Sequence, residues 1–206
     1  IPQVGTTTFR PPFNPVSLGV LGGAETGSHY QPLRRTPMFE KHEDLNCTWV
    51  DAGLWKRPRY YGRGAETMNQ ACDRETIATR GSVGICDVTT LGTIDIQGPD
   101  AAEFLNRVYA NGFKTLAIGK ARYGLMLRED GLVDDDGTTS RLGEHQYLMT
   151  TTTAHAGPVM ARLEFCLDAL WPDMKVVVTS VTDQWAGIAI AGPNSRKLLH
   201  KLVAEP

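Results

Sequence analysis

The chain has 206 residues, 41% of them apolar and 21% charged, with a formal charge of −2. That is length enough for one sizeable core, and the composition is that of an ordinary globular protein. The near-neutral balance leaves no basic footprint for nucleic acid, and no apolar run approaches the roughly 20 residues of a membrane-spanning helix.

Residues 1–34 are rich in Pro, Gly and Thr and show neither helical nor alternating periodicity. They read as a linker or wrapping arm, with Phe9, Phe13 and Val16 placed to pack on a neighbouring domain. From Arg35 the texture becomes alternating strands and helices, to residue 206. Both ends read as cut, so a piece of a longer protein is expected.

The aromatic-basic run WVDAGLWKRPRYY carries Trp49, Trp55, Tyr60 and Tyr61 among Lys56, Arg57 and Arg59. It reads either as an irregular loop anchored by its rings or as a platform for a planar or anionic ligand. Helical spacing of Met68, Ala71, Cys72 and Glu75 predicts a helix within Gly64–Arg80. Short strands follow at Ile85–Val88 and Thr93–Ile96. Asp100 is the expected N-cap of a helix Ala101–Tyr109, striped by Ala102, Leu105 and Val108. Strands are predicted at Tyr123–Leu127 and Gln146–Thr151, with turns at Glu129–Gly131 and Gly143–His145. A longer helix spans Ala156–Leu170 and stops at Trp171-Pro172. Val176–Val181 and Ile188–Ile190 complete the strands.

An internal echo sets the architecture. Ile94-Asp-Ile-Gln-Gly-Pro-Asp100, followed by Phe104-Leu105, recurs as Ile188-Ala-Ile-Ala-Gly-Pro-Asn194, followed by Leu198-Leu199. Each copy reads strand, Gly-Pro turn, cap, helix. The expectation is an α+β fold of duplicated strand-helix units with largely antiparallel sheets. No G-x-G-x-x-G or Walker motif follows a strand, so nucleotide phosphate has no visible cradle.

The densest chemistry lies in Tyr123–Gly137, YGLMLREDGLVDDDG, where a strand returns into three consecutive carboxylates. On a regular strand Asp134 and Asp136 share a face and Asp135 opposes them. The acids are either a solvated hairpin edge or a cluster turned toward a basic ligand or a transferable proton. No EF-hand spacing supports a metal. The histidines are scattered and no nucleophile elbow accompanies them. Cys47, Cys72, Cys86 and Cys166 are far apart, which argues against a zinc site or a disulfide framework and for reduced thiols in a cytoplasmic protein.

The ordered blocks RRTPMFEKHEDL (Arg34–Leu45), GLWKRPRYY (ending at Tyr61), SVGICDVTTLG (Ser82–Gly92), IQGPDAAEFL (Ile96–Leu105) and ARYGLMLREDGLVDDD (Ala121–Asp136) resemble the aminomethyltransferase family. These are the folate-binding T-proteins of glycine cleavage and their relatives. The resemblance covers about Arg34 to Pro206 and implies the N-terminal part of a T-protein-like folate-binding domain. The Pro-rich arm and the Asp-Asp-Gly ending at Gly137 resemble one branch, the alpha subunits of heterotetrameric sarcosine oxidases.

That branch implies capture, on tetrahydrofolate, of the one-carbon unit released by oxidative demethylation of sarcosine. FAD, FMN and NAD would bind outside this stretch, and the partners would be the other subunits and the preceding half of the same chain. The family's catalytic acid falls on Asp136, with Asp135 its neighbour in the acid pair. Tyr123 matches a tyrosine lining the folate site, Leu91 an apolar pterin contact, and Thr152 a family asparagine. Asp134 stands where an apolar residue is usual, and Ser140 where a second folate-side tyrosine is frequent. The family's G-Y-T-G-E block lies past Pro206, so weak or no tetrahydrofolate binding is expected of this stretch alone. Two other readings remain: an aminomethyltransferase of glycine cleavage, and a non-catalytic folate-binding module.

Overall fold

A computed structural model describes residues 33–204; the arm read over residues 1–34 lies almost wholly outside them. The first described elements are a short helix α1 (Phe39–Asp44) and a hairpin of β1 (Cys47–Ala52) and β2 (Trp55–Tyr61). The sequence reading of WVDAGLWKRPRYY as an irregular loop is corrected here. Asn46 and Gly53 adopt positive φ at the entry and turn, and the strands pair from Cys47↔Tyr61 to Ala52↔Trp55. Aromatic packing rather than polar alternation holds the hairpin. Trp49 stacks on Phe39 at 4.4 Å, and the Arg34 guanidinium lies 4.1 Å above the Trp55 ring.

Helix α2 (Met68–Gly81) begins at Thr67, whose hydroxyl accepts from the Gln70 amide while the Gln70 side chain accepts from the Thr67 amide. This reciprocal cap is worth about 1 kcal/mol and sets the start three to four residues after the sequence-based boundary. Then come β3 (Gly84–Asp87), β4 (Gly92–Gln97) and α3 (Ala101–Val108). Next are β5 (Ala121–Leu127), β6 (Val133–Gly143), β7 (Gln146–Thr151) and α4 (Ala156–Phe165), which continues as a π-turn over Cys166–Leu170. Strands β8 (Val177–Ser180) and β9 (Ile188–Ala191) and helix α5 (Ser195–Leu202) close the set.

Five strands form one antiparallel sheet in the order β5-β6-β7-β4-β8, and β3 pairs with β9 in a second. The core lies on one face of the larger sheet. Ile94 and Ile96 of β4 and Tyr147 and Met149 of β7 alternate inward to meet Phe104, Leu105 and Val108 of α3 and Val159 and Leu163 of α4. Each such side chain contributes about 1.5–3 kcal/mol by leaving water.

The sequence echo is a strand exchange. β3-β4-α3 and β8-β9-α5 are equivalent units, but β3 pairs with β9 and β8 with β4, so each first strand crosses to the other unit. The crossings are bonded alike. Thr89 Oγ1 accepts from Gly187 N at 3.0 Å, and Thr182 Oγ1 accepts from Thr93 N at the same distance. Gly98 and Gly192, the glycines of the two Gly-Pro turns, both have positive φ. A Cβ at Gly98 would collide with the Lys175 carbonyl, and one at Gly192 with that of Ser82, the equivalent residue. Asp100 starts α3 as expected but makes no side-chain cap. Its carboxylate instead accepts from the Lys175 amide at 2.9 Å, tying one unit to the other.

Candidate functional site

The acidic strand is not regular. Met126 pairs with Asp135 and Leu127 with Val133, so Asp134 is the extra residue of a β-bulge. A bulge re-aims its side chains, and the expectation that Asp134 and Asp136 share a face is corrected accordingly. Asp134 is held by helix α4, where Arg162 Nη1 donates to Oδ2 at 2.7 Å. Asp135 is 3% exposed, and the Thr152 amide donates to both its oxygens at 3.2 and 3.3 Å. Asp136 is half-buried and accepts a hydrogen bond from the hydroxyl of Tyr123, which is 55% exposed.

Three adjacent acids are thus treated in three ways: a cation for the first, a backbone amide for the second, a neutral phenol for the third. No cation within 4 Å pairs with Asp136 among the described residues. Asp135 lacks one too but is buried, so Asp136 is the cation-free acid that a ligand could meet. Gly137 lets the strand continue, because a Cβ there would collide with the Thr150 carbonyl.

The remaining candidates are joined in a chain of short polar links. Thr152 is exposed, and its neighbour Thr153 meets Thr90 hydroxyl to hydroxyl at 3.2 Å, which places the Leu91 loop beside the Thr152 loop. Tyr123, Asp136, Asp135, Thr152 and Leu91 therefore lie along one continuous stretch of the fold. Ser140, also half-buried, sits farther along β6 opposite Ala121. Hydrogen bonding to Asp136, and then burial, raises the Tyr123 phenol above its ordinary value. Burial, followed by the charges of Asp135 and Asp136, raises the Tyr109 phenol beneath them, and its hydroxyl donates to Met149 Sδ at 3.3 Å. Both phenols stay protonated near neutrality and serve as donors.

A second polar cluster was not visible in the sequence. His42 Nε2 lies 2.9 Å from Asp87 Oδ2, Thr36 Oγ1 donates to the same oxygen at 2.6 Å, and Tyr61 Oη lies 2.8 Å from His42 Nδ1. Burial first, and then the nearby acidic groups Cys47, Cys86, Glu75 and Asp87, pushes the Tyr61 phenol up to about 12. The cluster joins α1, β2 and β3 across separations of 45 and 51 residues, which no local pattern announces. It is a buried fastening for the hairpin. A cavity of about 370 Å³ beside it is lined by Tyr61, Cys72, Glu75, Arg80 and Cys86, away from the acidic strand.

The profile of the GCVT N-terminal domain family matches residues 38–206. The chain belongs to this family. Within 98% of its own length it is 54% identical to the sarcosine oxidase subunit alpha of Rhizobium meliloti (strain 1021) and 48% identical to that of Corynebacterium sp. (strain U-96). It spans only 21% of either relative. An aminomethyltransferase of Thermotoga sp. (strain RQ2) is 32% identical over 84% of this chain and 44% of its own. The glycine cleavage aminomethyltransferase T of Bartonella henselae shares the fold, with a TM-score of 0.71 at 24% identity over 82% of this chain and 43% of that one. Among the described residues, no helix is long and apolar enough to cross a membrane.

Proposed function

We propose that this chain is the folate-binding part of a sarcosine oxidase alpha subunit. In that reading it captures the one-carbon unit from oxidised sarcosine on tetrahydrofolate, giving 5,10-methylenetetrahydrofolate and glycine. The observation that carries the reading is the state of Asp136: a half-buried carboxylate with no cation within 4 Å among the described residues, bonded to an exposed phenol, while Asp134 is ion-paired and Asp135 is buried. The identity to sarcosine oxidase alpha subunits, 54% against 32% for the aminomethyltransferase, favours the oxidase branch.

The residues fit a flat, amine-bearing heterocycle. The Tyr123 ring offers a stacking surface, Leu91 an apolar wall, and Thr152 a hydroxyl beside them. Bound there, tetrahydrofolate would supply the nitrogens that take up the one-carbon unit as glycine is released. Asp136 would accept the proton given up by the folate amine and stabilise positive charge that develops beside it. Tyr123 donates to Asp136 and fixes the direction of its carboxylate. Asp135 works at one remove, by holding the Thr152 amide.

In the complete enzyme, FAD, FMN and NAD would bind outside this stretch and supply the oxidation. The other subunits and the rest of the alpha chain would be its partners, in a cytoplasmic assembly. Residues 1–34 would form the arm linking the two halves of that chain, and residues 35–206 the first part of the folate-binding domain. The test is product partition in the assembled enzyme carrying Asp136→Asn. Sarcosine oxidation continues while methylenetetrahydrofolate formation falls by roughly 10²–10⁴-fold, the usual weight of a general base, and formaldehyde accumulates instead. Unchanged methylenetetrahydrofolate yield would sink the reading in favour of a binding role without chemistry.

A further inference from the structure

Asp134 has no part in the chemistry just described, yet it is the most heavily engaged of the three acids. Arg162 bridges two elements at once: Nη1 donates to Asp134 at 2.7 Å and Nη2 to the Leu127 carbonyl at 2.6 Å. It thereby clasps both arms of the β5–β6 hairpin from helix α4. On the other side of the same carboxylate, His155 Nε2 approaches Oδ1 to 3.6 Å. His155 ends the single 3₁₀ turn Thr153–His155 that carries the chain from Thr152 into α4. The Thr152 amide is in turn bonded to Asp135. The loop is bonded at Thr152 to Asp135 and faces Asp134 at His155, two adjacent residues at one bulge.

We propose that Asp134, paired with Arg162 and facing His155, is a positioning residue that fixes the Thr152–His155 loop against the acidic strand and so sets affinity for the folate ligand. The inference rests on the folate reading of the site. It differs from it in assigning Asp134 no contact with the reacting atoms.

The bulge is what makes the arrangement work. In a regular strand Asp134 would point away from Asp135, and the two could not grip one loop from the same side. Its partial burial, 19% of the side chain exposed against 32% for Arg162, keeps the ion pair from being a freely solvated surface contact. Breaking such a pair from one side leaves an uncompensated charge next to Asp135, and Arg162→Met also strips the Leu127 carbonyl of its donor.

The experiment uses the full-length, assembled enzyme with Asp134→Asn, Arg162→Met and the conservative Arg162→Lys. Hydrogen exchange of peptides covering residues 152–155 is read without folate, and KM for tetrahydrofolate and kcat are read with it. Asp134→Asn and Arg162→Met each speed loop exchange about tenfold and raise KM about tenfold, while kcat stays within twofold. Arg162→Lys, which keeps a cation for Asp134, shifts both less than Arg162→Met does. Unaltered loop exchange in both Asp134→Asn and Arg162→Met overturns the proposal, as does faster exchange with unaltered KM, or a loss carried by kcat alone. The folate reading fails separately, through Asp136→Asn, whatever the loop does.

Discussion

Replacing Asp87 by Ala probes the buried fastening beneath the hairpin. The carboxylate is 5% exposed and accepts from Thr36 Oγ1 at 2.6 Å, His42 Nε2 at 2.9 Å and the Thr89 amide at 3.0 Å. Hydrogen bonds to a charged group are worth about 1.5–3 kcal/mol each, but they share one acceptor group and do not add fully. Removing the acceptor also strands three donors in a dry site. The expected loss is about 3–5 kcal/mol, the range for breaking a buried charge pair from one side, against a total of roughly 5–15 kcal/mol for a domain. Asp87→Asn keeps the shape and one acceptor oxygen and should lose about half of that. Urea unfolding followed by Trp49 fluorescence is the assay, because that ring meets His42 edge-on at 6.0 Å. The sign with pH is fixed by the carboxyl. Burial raises its pKa, but the bonds from Thr36, Thr89 and His42 outweigh burial and leave it below 3.8. A depressed folded value means that the contribution is complete above the unfolded pKa of about 3.9 and is lost as pH falls through the folded one. The gap between wild type and Asp87→Asn therefore narrows below about pH 4. A cost for Asp87→Ala under about 1 kcal/mol, or a gap that widens in acid, would refute the reasoning.

Other consequences can be checked one at a time. Gly137→Ala places a Cβ against the Thr150 carbonyl, so it should cost about 1–3 kcal/mol or more in urea unfolding and loosen Asp136 with it. Thr139 Oγ1 is buried without a hydrogen-bond partner among the described residues. Thr139→Val should be neutral or stabilising by about 1 kcal/mol in the same assay. Spectrophotometric titration, with Tyr123→Phe subtracted, should show the Tyr123 phenol ionising above 10 in the wild type and nearer 10 in Asp136→Asn.

Much of the frame was legible from local pattern. The Gly-Pro echo identified both units because the same steric demand, a positive-φ glycine pressed on a neighbouring carbonyl, recurs at Gly98 and Gly192. β7 was readable residue for residue because Tyr147, Met149 and Thr151 alternate inward. The hairpin of β1 and β2 was not. Pro58 and a run of cations disguise β2, and its stability comes from Phe39, Arg34 and other residues outside it. The candidate site was half legible: Tyr123 and the acids stand together in sequence, but which acid is free depends on a bulge, and a bulge is a property of pairing between strands. Asp134 could be flagged as an added charge, yet its partner Arg162 lies 28 residues away on a helix. The His42–Asp87 pair left no signal at all, since each residue taken singly reads as an ordinary surface polar group.

The most direct measurement is a structure of the complete, assembled protein with tetrahydrofolate bound. The account predicts the pteridine against the Tyr123 ring and Leu91, with a reacting folate nitrogen within about 2.6–3.2 Å of an Asp136 oxygen or one water away. Folate seated elsewhere, with Asp136 facing only solvent, would contradict it.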